Sequence, residues 1–195
     1  MAQSQNSKYR TPLQVLKWLI ALILLALIGF WIAQKRSAKT EEPAAEDPDL
    51  QYGTELLQPG TAAPDFTLSD SQDNPLTLSD LQGKDVVLVF WASWCPDCRA
   101  EVPLLKEMYA AADPEKTAFV SVSFDREKEK WLSYIEENQL PGIQLFDPAG
   151  KKDSSIGADF HVKWIPSLYL IGPDGKIKLA TVVAEKVAAA LKAAE

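Results

Sequence analysis

The sequence predicts an α/β domain in which helices cover a mostly parallel sheet with an antiparallel hairpin at one edge, preceded by one transmembrane helix. The domain is indicated by β-type segments that alternate with helical patterns from residue 60 onward. Its centre is indicated by residues 85–91 (DVVLVFW), a continuous apolar run typical of a strand buried on both faces. The transmembrane helix is indicated by an apolar stretch over residues 13–33.

This apolar stretch has 21 residues, and a helix of that length rises about 31 Å, enough to cross the hydrocarbon core of a membrane. Lys8 and Arg10 precede it in a short tail, residues 1–12, as they would in a cleaved signal peptide. No small-x-small cleavage site follows it, and no cysteine near residue 33 is present to carry a lipid. An uncleaved anchor is therefore favoured, and basic residues on both sides leave its orientation open.

Charge is segregated along the chain. The 27 acidic and 20 basic residues give a net charge of −7, yet residues 1–39 contain six basic residues and no acidic one. Residues 34–59 are predicted to be an acidic flexible linker, because residues 40–59 contain six acids, three prolines and no basic residue. The domain, residues 60–195, has 21 acidic and 14 basic residues, which argues against a nucleic-acid partner.

Within the domain, the spacing of hydrophobic residues and the positions of turn residues predict a β-hairpin, followed by strands that alternate with helices. The predicted strands are residues 65–69, 76–78, 85–91, 117–124, 144–146, 167–171 and 176–180. The predicted helices are residues 96–112, 126–139 and 183–194, with a helical turn at residues 154–160. A Gly-Pro-Asp-Gly turn at residues 172–175 joins the last two strands.

Cys95 and Cys98 are the two cysteines of the sequence, and their spacing fits half of a metal site, a structural disulfide or a redox pair. They are predicted to follow a buried strand and to open a helix. The free amides and partial positive charge of a helix N-terminus favour a thiolate at Cys95, and Pro96 suits the first helical position. This placement favours thiol–disulfide exchange, in which a thiolate is the nucleophile.

Other uses of the pair are weaker. A disulfide that closes a four-residue loop restricts the unfolded chain little and would stabilise the fold weakly. The main alternative function is a copper-binding or metal-delivery module, which requires that Cys95, Cys98 and His161 come together. A further alternative is a tethered interaction domain whose CxxC pair is inactive.

The residues around the pair resemble a known family. Residues 91–98 (WASWCPDC), after an apolar strand, resemble the active-site motif of the thioredoxin superfamily. Residues 63–68 (APDFTL) and 78–84 (LSDLQGK) resemble the N-terminal extension of its TlpA/ResA-like branch, related to AhpC/TSA proteins. The resemblance covers the chain from about residue 60 onward. It implies a thioredoxin-like fold, in which helices flank a central mixed sheet, with an N-terminal β-hairpin extension.

The resemblance also implies catalytic roles. Cys95 would be the attacking thiolate, and Cys98 would be the resolving thiol, with a redox-active disulfide between them after reaction. Glu101 lies three residues after Cys98, on the same helical face. In this branch a glutamate at that position acts near the cysteines, by tuning a thiol pKa or by relaying protons, whereas the alternative is an exposed helix charge. No cofactor is expected.

The substrate-binding residues are implied by a second motif, residues 160–167 (FHVKWIPS), which resembles the cis-proline loop of the family. Pro166 would be the cis-proline, and Ile165 and Pro166 would line the groove in which a loop backbone pairs with an extended peptide. Trp94, next to Cys95, would form part of the apolar rim of that groove, or would serve only as a half-buried packing residue.

The sequence departs from several relatives in informative ways. Val89 replaces the buried aspartate that thioredoxins carry six residues before the first cysteine, which makes Glu101 the more credible proton carrier. Ala92 replaces the Thr or Ser of peroxiredoxins, so antioxidant peroxidase activity is not expected. Trp164 and Ser167 replace residues of the specialised cytochrome c maturation reductases, so haem-delivery service is not supported.

Partners and location follow from the same resemblance. Members of this branch are bacterial proteins held in the cytoplasmic membrane, with the catalytic domain facing the periplasm or the outside. We therefore expect protein disulfides as substrates, an upstream membrane thiol reductant as electron donor, and contact with the lipid bilayer through residues 13–33. Nucleic acid is not expected as a partner.

Overall fold

The computed structural model describes residues 12–37 and 46–193, and it divides the chain into two units that meet between residues 46 and 47. Side chains of the first helix are described for residues 16–31. The predicted tail, apart from its last residue, lies outside the described residues, and so do residues 38–45 of the predicted linker.

In the first unit, the described residues form a helix of 26 residues, α1 (Pro12–Ser37), over the predicted membrane stretch. Its described side chains, residues 16–31, are all exposed. Among the described residues, no helix reaches the length and hydropathy expected of a membrane span. The helical conformation is therefore confirmed, whereas the transmembrane assignment of residues 13–33 is not confirmed.

The described part of the second unit, residues 47–193, contains six helices and seven strands, most of them within two residues of the predicted bounds. The helices are α2 (Pro48–Tyr52), α3 (Pro96–Ala111), α4 (Lys128–Glu137), α5 (Gly150–Asp153), α6 (Ser155–Asp159) and α7 (Ala184–Ala193), with a 3-10 turn at Leu78–Leu81. The strands are β1 (Thr67–Asp70), β2 (Pro75–Thr77), β3 (Asp85–Trp91), β4 (Thr117–Ser123), β5 (Ile143–Phe146), β6 (Ser167–Ile171) and β7 (Ile177–Thr181). Helices α2 and α5 were not predicted.

The sheet is mixed, which corrects the prediction of a mostly parallel sheet with one antiparallel edge hairpin. The described strands form one sheet in the order β2-β1-β5-β4-β3-β6-β7. Strands β3, β4 and β5 run parallel, the remaining pairings are antiparallel, and an antiparallel hairpin closes each edge. All five residues of β6 are buried, as in a parallel strand, and hydrophobic periodicity does not report strand direction. The mixed sheet and the N-terminal hairpin implied by the resemblance are confirmed.

Strand β3 is the centre of the domain, because its alternate side chains enter two separate hydrophobic clusters. Leu88 and Phe90 pack on one face, and Val87 and Val89 pack on the other. The second face is covered by α3, α4 and α7, through buried residues such as Met108, Trp131 and Val187. Burial on both faces holds the carboxyl end of β3 in one position, and the two cysteines follow from that end.

The N-terminal segment of the second unit is bound to the domain by a cluster of ion pairs and hydrogen bonds. Asp49 accepts hydrogen bonds from the Thr181 hydroxyl and from the backbone N–H of Val182, each at 2.7 Å. Lys186 forms ion pairs of 2.7 Å with both Asp47 and Asp49. The Lys186 ammonium holds the pKa of Asp47 below its usual value.

These contacts correct the predicted boundary at residue 60. Residues 47–59 were assigned to the flexible linker, yet Leu56 is 4% exposed in the core, and the Leu57 amide donates to the Tyr169 hydroxyl at 3.3 Å. Acidic and proline-rich composition is typical of a solvated tether. It does not reveal the hydrogen bonds and ion pairs that Asp47 and Asp49 form with residues more than 130 positions away.

Replacing Asp49 with alanine is expected to lower the free energy of unfolding by about 1–3 kcal/mol, because two hydrogen bonds and an ion pair lose their acceptor. Urea unfolding of the full chain, followed by tryptophan fluorescence, measures this change. The matched control is Asp153→Ala, which removes an exposed carboxylate and should cost less than about 0.5 kcal/mol. Equal losses in the two variants would show that this segment is not bound to the domain.

Candidate active site

The candidate active site begins where β3 ends and α3 begins. Cys95 is the N-cap residue of α3, its backbone N–H donates to the Ala92 carbonyl at 3.1 Å, and Pro96 is the first helical residue. The Cys95 Sγ accepts a hydrogen bond from the backbone N–H of Cys98 at 3.2 Å. The sulfur thus takes the place of the oxygen in an ordinary N-cap, where free amides and the helix dipole stabilise negative charge. The structure thus has Cys95 at the helix N-terminus, where the sequence predicts the attacking sulfur.

The two sulfurs lie against each other. The Cys98 thiol donates to the Cys95 Sγ across 2.6 Å, and both thiols are free. Cys95 is 4% exposed and Cys98 is 2% exposed, so the pair is shielded from bulk solvent. A disulfide can form between them with little movement of α3, as the redox interpretation requires.

The cis-proline loop forms the other side of the site. The Ile165–Pro166 peptide bond is cis, which confirms the prediction for Pro166, and the Cys95 thiol donates to the Ile165 carbonyl at 3.4 Å. The loop reaches the sulfur because β6 pairs with β3 in antiparallel register, with Ser167 opposite Phe90. The structure therefore brings Ile165 and Pro166 to the cysteines, and their role in substrate binding stays a prediction.

Two indole rings stand exposed on the segments that carry the site. Trp94 is 58% exposed, which fits a rim residue better than a half-buried packing residue. Trp164, on the cis-proline loop, is 53% exposed and stacks edge-on against Tyr52 of α2, with ring centroids 4.6 Å apart. Exposed aromatic side chains are common in contacts with protein partners. Trp164 was not predicted as a site residue. Its position in the FHVKWIPS motif, two residues before Pro166, could have indicated it.

The Cys98 thiol is enclosed by the protein, and its acidity is reduced. Burial raises the pKa of the Cys98 thiol, and the hydrogen bond to Cys95 raises it further. The negative charges of a Cys95 thiolate and of Asp97 act in the same direction. Cys98 therefore stays protonated while Cys95 sits at the helix N-terminus, an asymmetry that suits an attacking and a resolving thiol.

Glu101 lines an apolar cavity together with Cys98 and Pro166. It is half-buried rather than an exposed helix charge, and the backbone N–H of Ala184, at the start of α7, favours its charged form. Burial raises the pKa of Glu101 above its usual value, and the neighbouring carboxylate of Glu185 raises it further. A carboxyl group of this kind suits proton exchange with a thiol, and that role stays a prediction.

The structure adds Asp125, which sequence reasoning missed. Its carboxylate is 2% exposed and accepts hydrogen bonds from the Ser93 backbone N–H at 2.9 Å, the Ser93 hydroxyl at 2.7 Å and the Ser123 hydroxyl at 2.7 Å. These bonds hold the turn that precedes Cys95. The position of Asp125 in the sequence could have indicated this role. Asp125 follows β4, and the carboxyl ends of neighbouring parallel strands such as β3 and β4 meet at one edge of a sheet.

His161 lies elsewhere, so the ligand set of the copper alternative is not formed. Its Nδ1 lies 3.1 Å from the Glu55 carbonyl, and it lines a surface pocket with Lys151 and Lys163. In the part of the chain that the structure describes, which includes all three proposed ligands, no three His, Cys, Asp or Glu side chains are grouped as a metal site. The expectation that Cys95, Cys98 and His161 could come together has no support.

Comparison with known families agrees with this geometry. Residues 59–180 match the model of the AhpC/TSA family. The chain belongs to the AhpC/TSA family. The match extends from the N-terminal hairpin through the CxxC motif and the cis-proline loop to β7.

Among curated proteins, this AhpC/TSA-family chain is similar to the thiol-disulfide oxidoreductase ResA of Oceanobacillus iheyensis. The two are 29% identical over 163 residues, which cover 82% of this chain and 76% of the relative. It is also 29% identical to the thioredoxin-like protein YneN of Bacillus subtilis over 170 residues, which cover 83% of this chain and 87% of the relative.

Solved structures give the same result. The thioredoxin domain of a thiol-disulfide oxidoreductase from Bacteroides vulgatus matches with a TM-score of 0.62 and 30% identity, over 69% of this chain and 99% of that one. A putative thiol:disulfide interchange protein DsbE from Chlorobium tepidum matches with a TM-score of 0.62 and 31% identity, over 69% and 94% of the two chains. The prediction of a thioredoxin-like thiol–disulfide oxidoreductase of the TlpA/ResA-like branch is confirmed.

Replacing Glu185 with glutamine is expected to lower the pKa of Glu101, because a negative charge that disfavours the Glu101 carboxylate is removed. Carbon-13 NMR titration of the Glu101 carboxyl group measures the change directly. Glu107→Gln, at an exposed position of α3, is the control and should leave the titration where it was. An unchanged midpoint in Glu185→Gln would contradict the electrostatic coupling of the two carboxyl groups.

Proposed function

We propose that this AhpC/TSA-family chain is a membrane-tethered enzyme that reduces disulfides of extracytoplasmic proteins through Cys95 and Cys98. The observation that carries the chemistry is the position of the Cys95 sulfur, which caps α3, lies 2.6 Å from the Cys98 sulfur and contacts the Ile165 carbonyl. The relatives named as thiol-disulfide oxidoreductases support this class of reaction.

The first step is nucleophilic attack by the Cys95 thiolate on one sulfur of a substrate disulfide. A bond forms between the Cys95 Sγ and that sulfur, the substrate S–S bond breaks, and the second substrate sulfur leaves as a thiolate. The product is a mixed disulfide between enzyme and substrate. The backbone N–H groups at the start of α3 stabilise the negative charge of Cys95 before it attacks.

The second step requires that Cys98 lose its proton, which its raised pKa resists. Glu101 lines the same cavity, and we assign the transfer of this proton to its carboxylate. The Cys98 thiolate then attacks the Cys95 Sγ and expels the second half of the substrate as a thiolate. Two electrons have passed to the substrate, and the enzyme retains a Cys95–Cys98 disulfide.

Substrate binding is assigned to the surface around the sulfur. The backbone of Ile165, next to the buried Pro166, can pair with an extended segment that carries the substrate cysteine. The exposed indole of Trp94 supplies apolar contact at the rim. An upstream dithiol protein of the membrane then reduces the Cys95–Cys98 disulfide by the same exchange chemistry and restores the enzyme.

Replacing Cys98 with serine is expected to trap substrates, because the mixed disulfide on Cys95 can no longer be resolved. Tagged Cys98→Ser enzyme, purified from cells under acid quench, should carry covalently bound proteins that dithiothreitol releases and mass spectrometry identifies. The matched control, Cys95→Ser, retains one thiol in the same site and should capture none. Equal capture by both variants, or by neither, would contradict the assigned order of attack.

The membrane tether is proposed from α1. Residues 16–31 include twelve large hydrophobic side chains that are 49–65% exposed. Lys17 is the single charged residue among these sixteen positions. Exposed apolar surface of this extent is unfavourable in water, at about 25 cal/mol per Å². Lipid is the covering that we propose, with the catalytic domain outside the cytoplasm and the segment before Asp47 as its tether.

Cell fractionation tests this tether. Full-length chain is expected to stay with membranes after a wash in alkaline carbonate, whereas a chain that lacks residues 1–45 should appear in the supernatant. Protease added to intact spheroplasts should digest the catalytic domain if that domain faces outward. Release of the full-length chain by carbonate would contradict the anchor, and protection of the domain from protease would contradict the orientation.

A further inference from the structure

We infer that a basic groove beside the active site binds an acidic segment of the substrate protein, close in sequence to the substrate's reactive disulfide. The groove is lined by Trp94, Arg126, Glu127, Lys130, Lys151 and Lys152, and we call it the basic groove. This inference rests on the proposed function, because it assigns the chemistry of the segment that the reductase recognises.

The charge of the basic groove is opposite to that of the domain around it. Four cationic side chains line it, whereas residues 60–195 carry 21 acids and 14 bases. Lys130 forms an ion pair with Glu127 at 2.6 Å, whereas the Lys151 ammonium donates to the Lys163 carbonyl, a partner without charge. A local reversal of sign in an acidic domain favours an anionic ligand.

The remaining cations are available to a ligand. Arg126 and Lys152 are exposed, and among the described residues neither forms an ion pair. Asp125 also borders the groove, but its carboxylate is 2% exposed and already accepts three hydrogen bonds from Ser93 and Ser123. A guanidinium can bind a carboxylate through two parallel hydrogen bonds, so Asp and Glu side chains are suitable ligands for Arg126.

The position of the basic groove indicates a protein segment as its occupant. Trp94 both lines the groove and directly precedes Cys95, so the groove borders the turn that carries the attacking residue. An extended chain rises about 3.3 Å per residue, and a substrate cysteine held at Cys95 therefore brings residues a few positions away into the groove. The exposed indole of Trp94 adds apolar contact area that a protein segment can use and a free anion cannot.

Single-turnover reduction of synthetic peptides tests this inference. Pre-reduced full-length chain is mixed with three disulfide peptides of one sequence, in which the residues flanking the cysteine are Asp and Glu, Asn and Gln, or Lys. The second-order rate constant should fall in that order, with the acidic peptide ahead of the neutral one by about tenfold at low ionic strength. The difference should shrink in 0.5 M salt because exposed charges are screened.

Charge reversal identifies the groove as the source of this preference. The double variant Arg126→Glu/Lys152→Glu should lose the preference for the acidic peptide and should reduce the Lys peptide faster than the acidic one. Lys116→Glu is the control for reversal of a surface charge, because it changes an exposed lysine just before the start of β4, away from the groove. The control should keep the order of the unmodified chain.

The outcomes separate this inference from the proposed function. Equal rates for the three peptides with the unmodified chain would overturn the inference and leave the reductase proposal standing. No reduction of any peptide would overturn the reductase proposal itself. A higher rate for the neutral peptide in the double variant would show that an acidic segment of this chain occupies the groove, which also contradicts the inference.

Discussion

The hydrogen bond from the Cys98 backbone N–H to the Cys95 sulfur is the contact on which the rest of the site depends. It exists because β3, buried on both faces, delivers its carboxyl end to one edge of the sheet, where α3 begins with Cys95 as its N-cap. Strand β6 pairs directly with β3, so the Ile165 carbonyl reaches the same sulfur from the other side. Two adjacent strands of one sheet thus position both halves of the site.

The chemistry depends on unequal environments for groups that are close together. Cys95 has the helix N-terminus, whereas Cys98 is enclosed and its pKa is raised. Glu101 shares the cavity of Cys98 and titrates above its usual range because burial and Glu185 disfavour its charge. Asp125 differs from both, because its carboxylate is saturated by hydrogen bonds and holds the turn before Cys95 in place. Four ionisable groups, three at the start of α3 and one after β4, therefore have separate tasks in one site.

The surface around the site combines exposed aromatic rings with a local excess of positive charge. Trp94 borders the basic groove, and Trp164 borders the cis-proline loop, where Tyr52 of the N-terminal segment supports it. The segment once predicted to be linker is therefore part of the framework of the site, joined to the domain through Asp49 and Leu56. Both exposed rings lie on segments that contact the cysteine pair, so a protein bound at the sulfur can reach them.

Much of this protein was determined by sequence alone, because local patterns report local structure. The run at residues 85–91 predicted β3, and the place of the CxxC pair between a strand and a helix favoured a redox pair. The resemblance of residues 160–167 to a family motif implied the cis-proline loop, and the structure has all three. Strand direction was decided only by the tertiary structure, since a buried strand has the same apolar pattern whichever way it runs. The same holds for Asp49, Asp125 and the cations of the basic groove, whose partners are set by folding and not by neighbours along the chain.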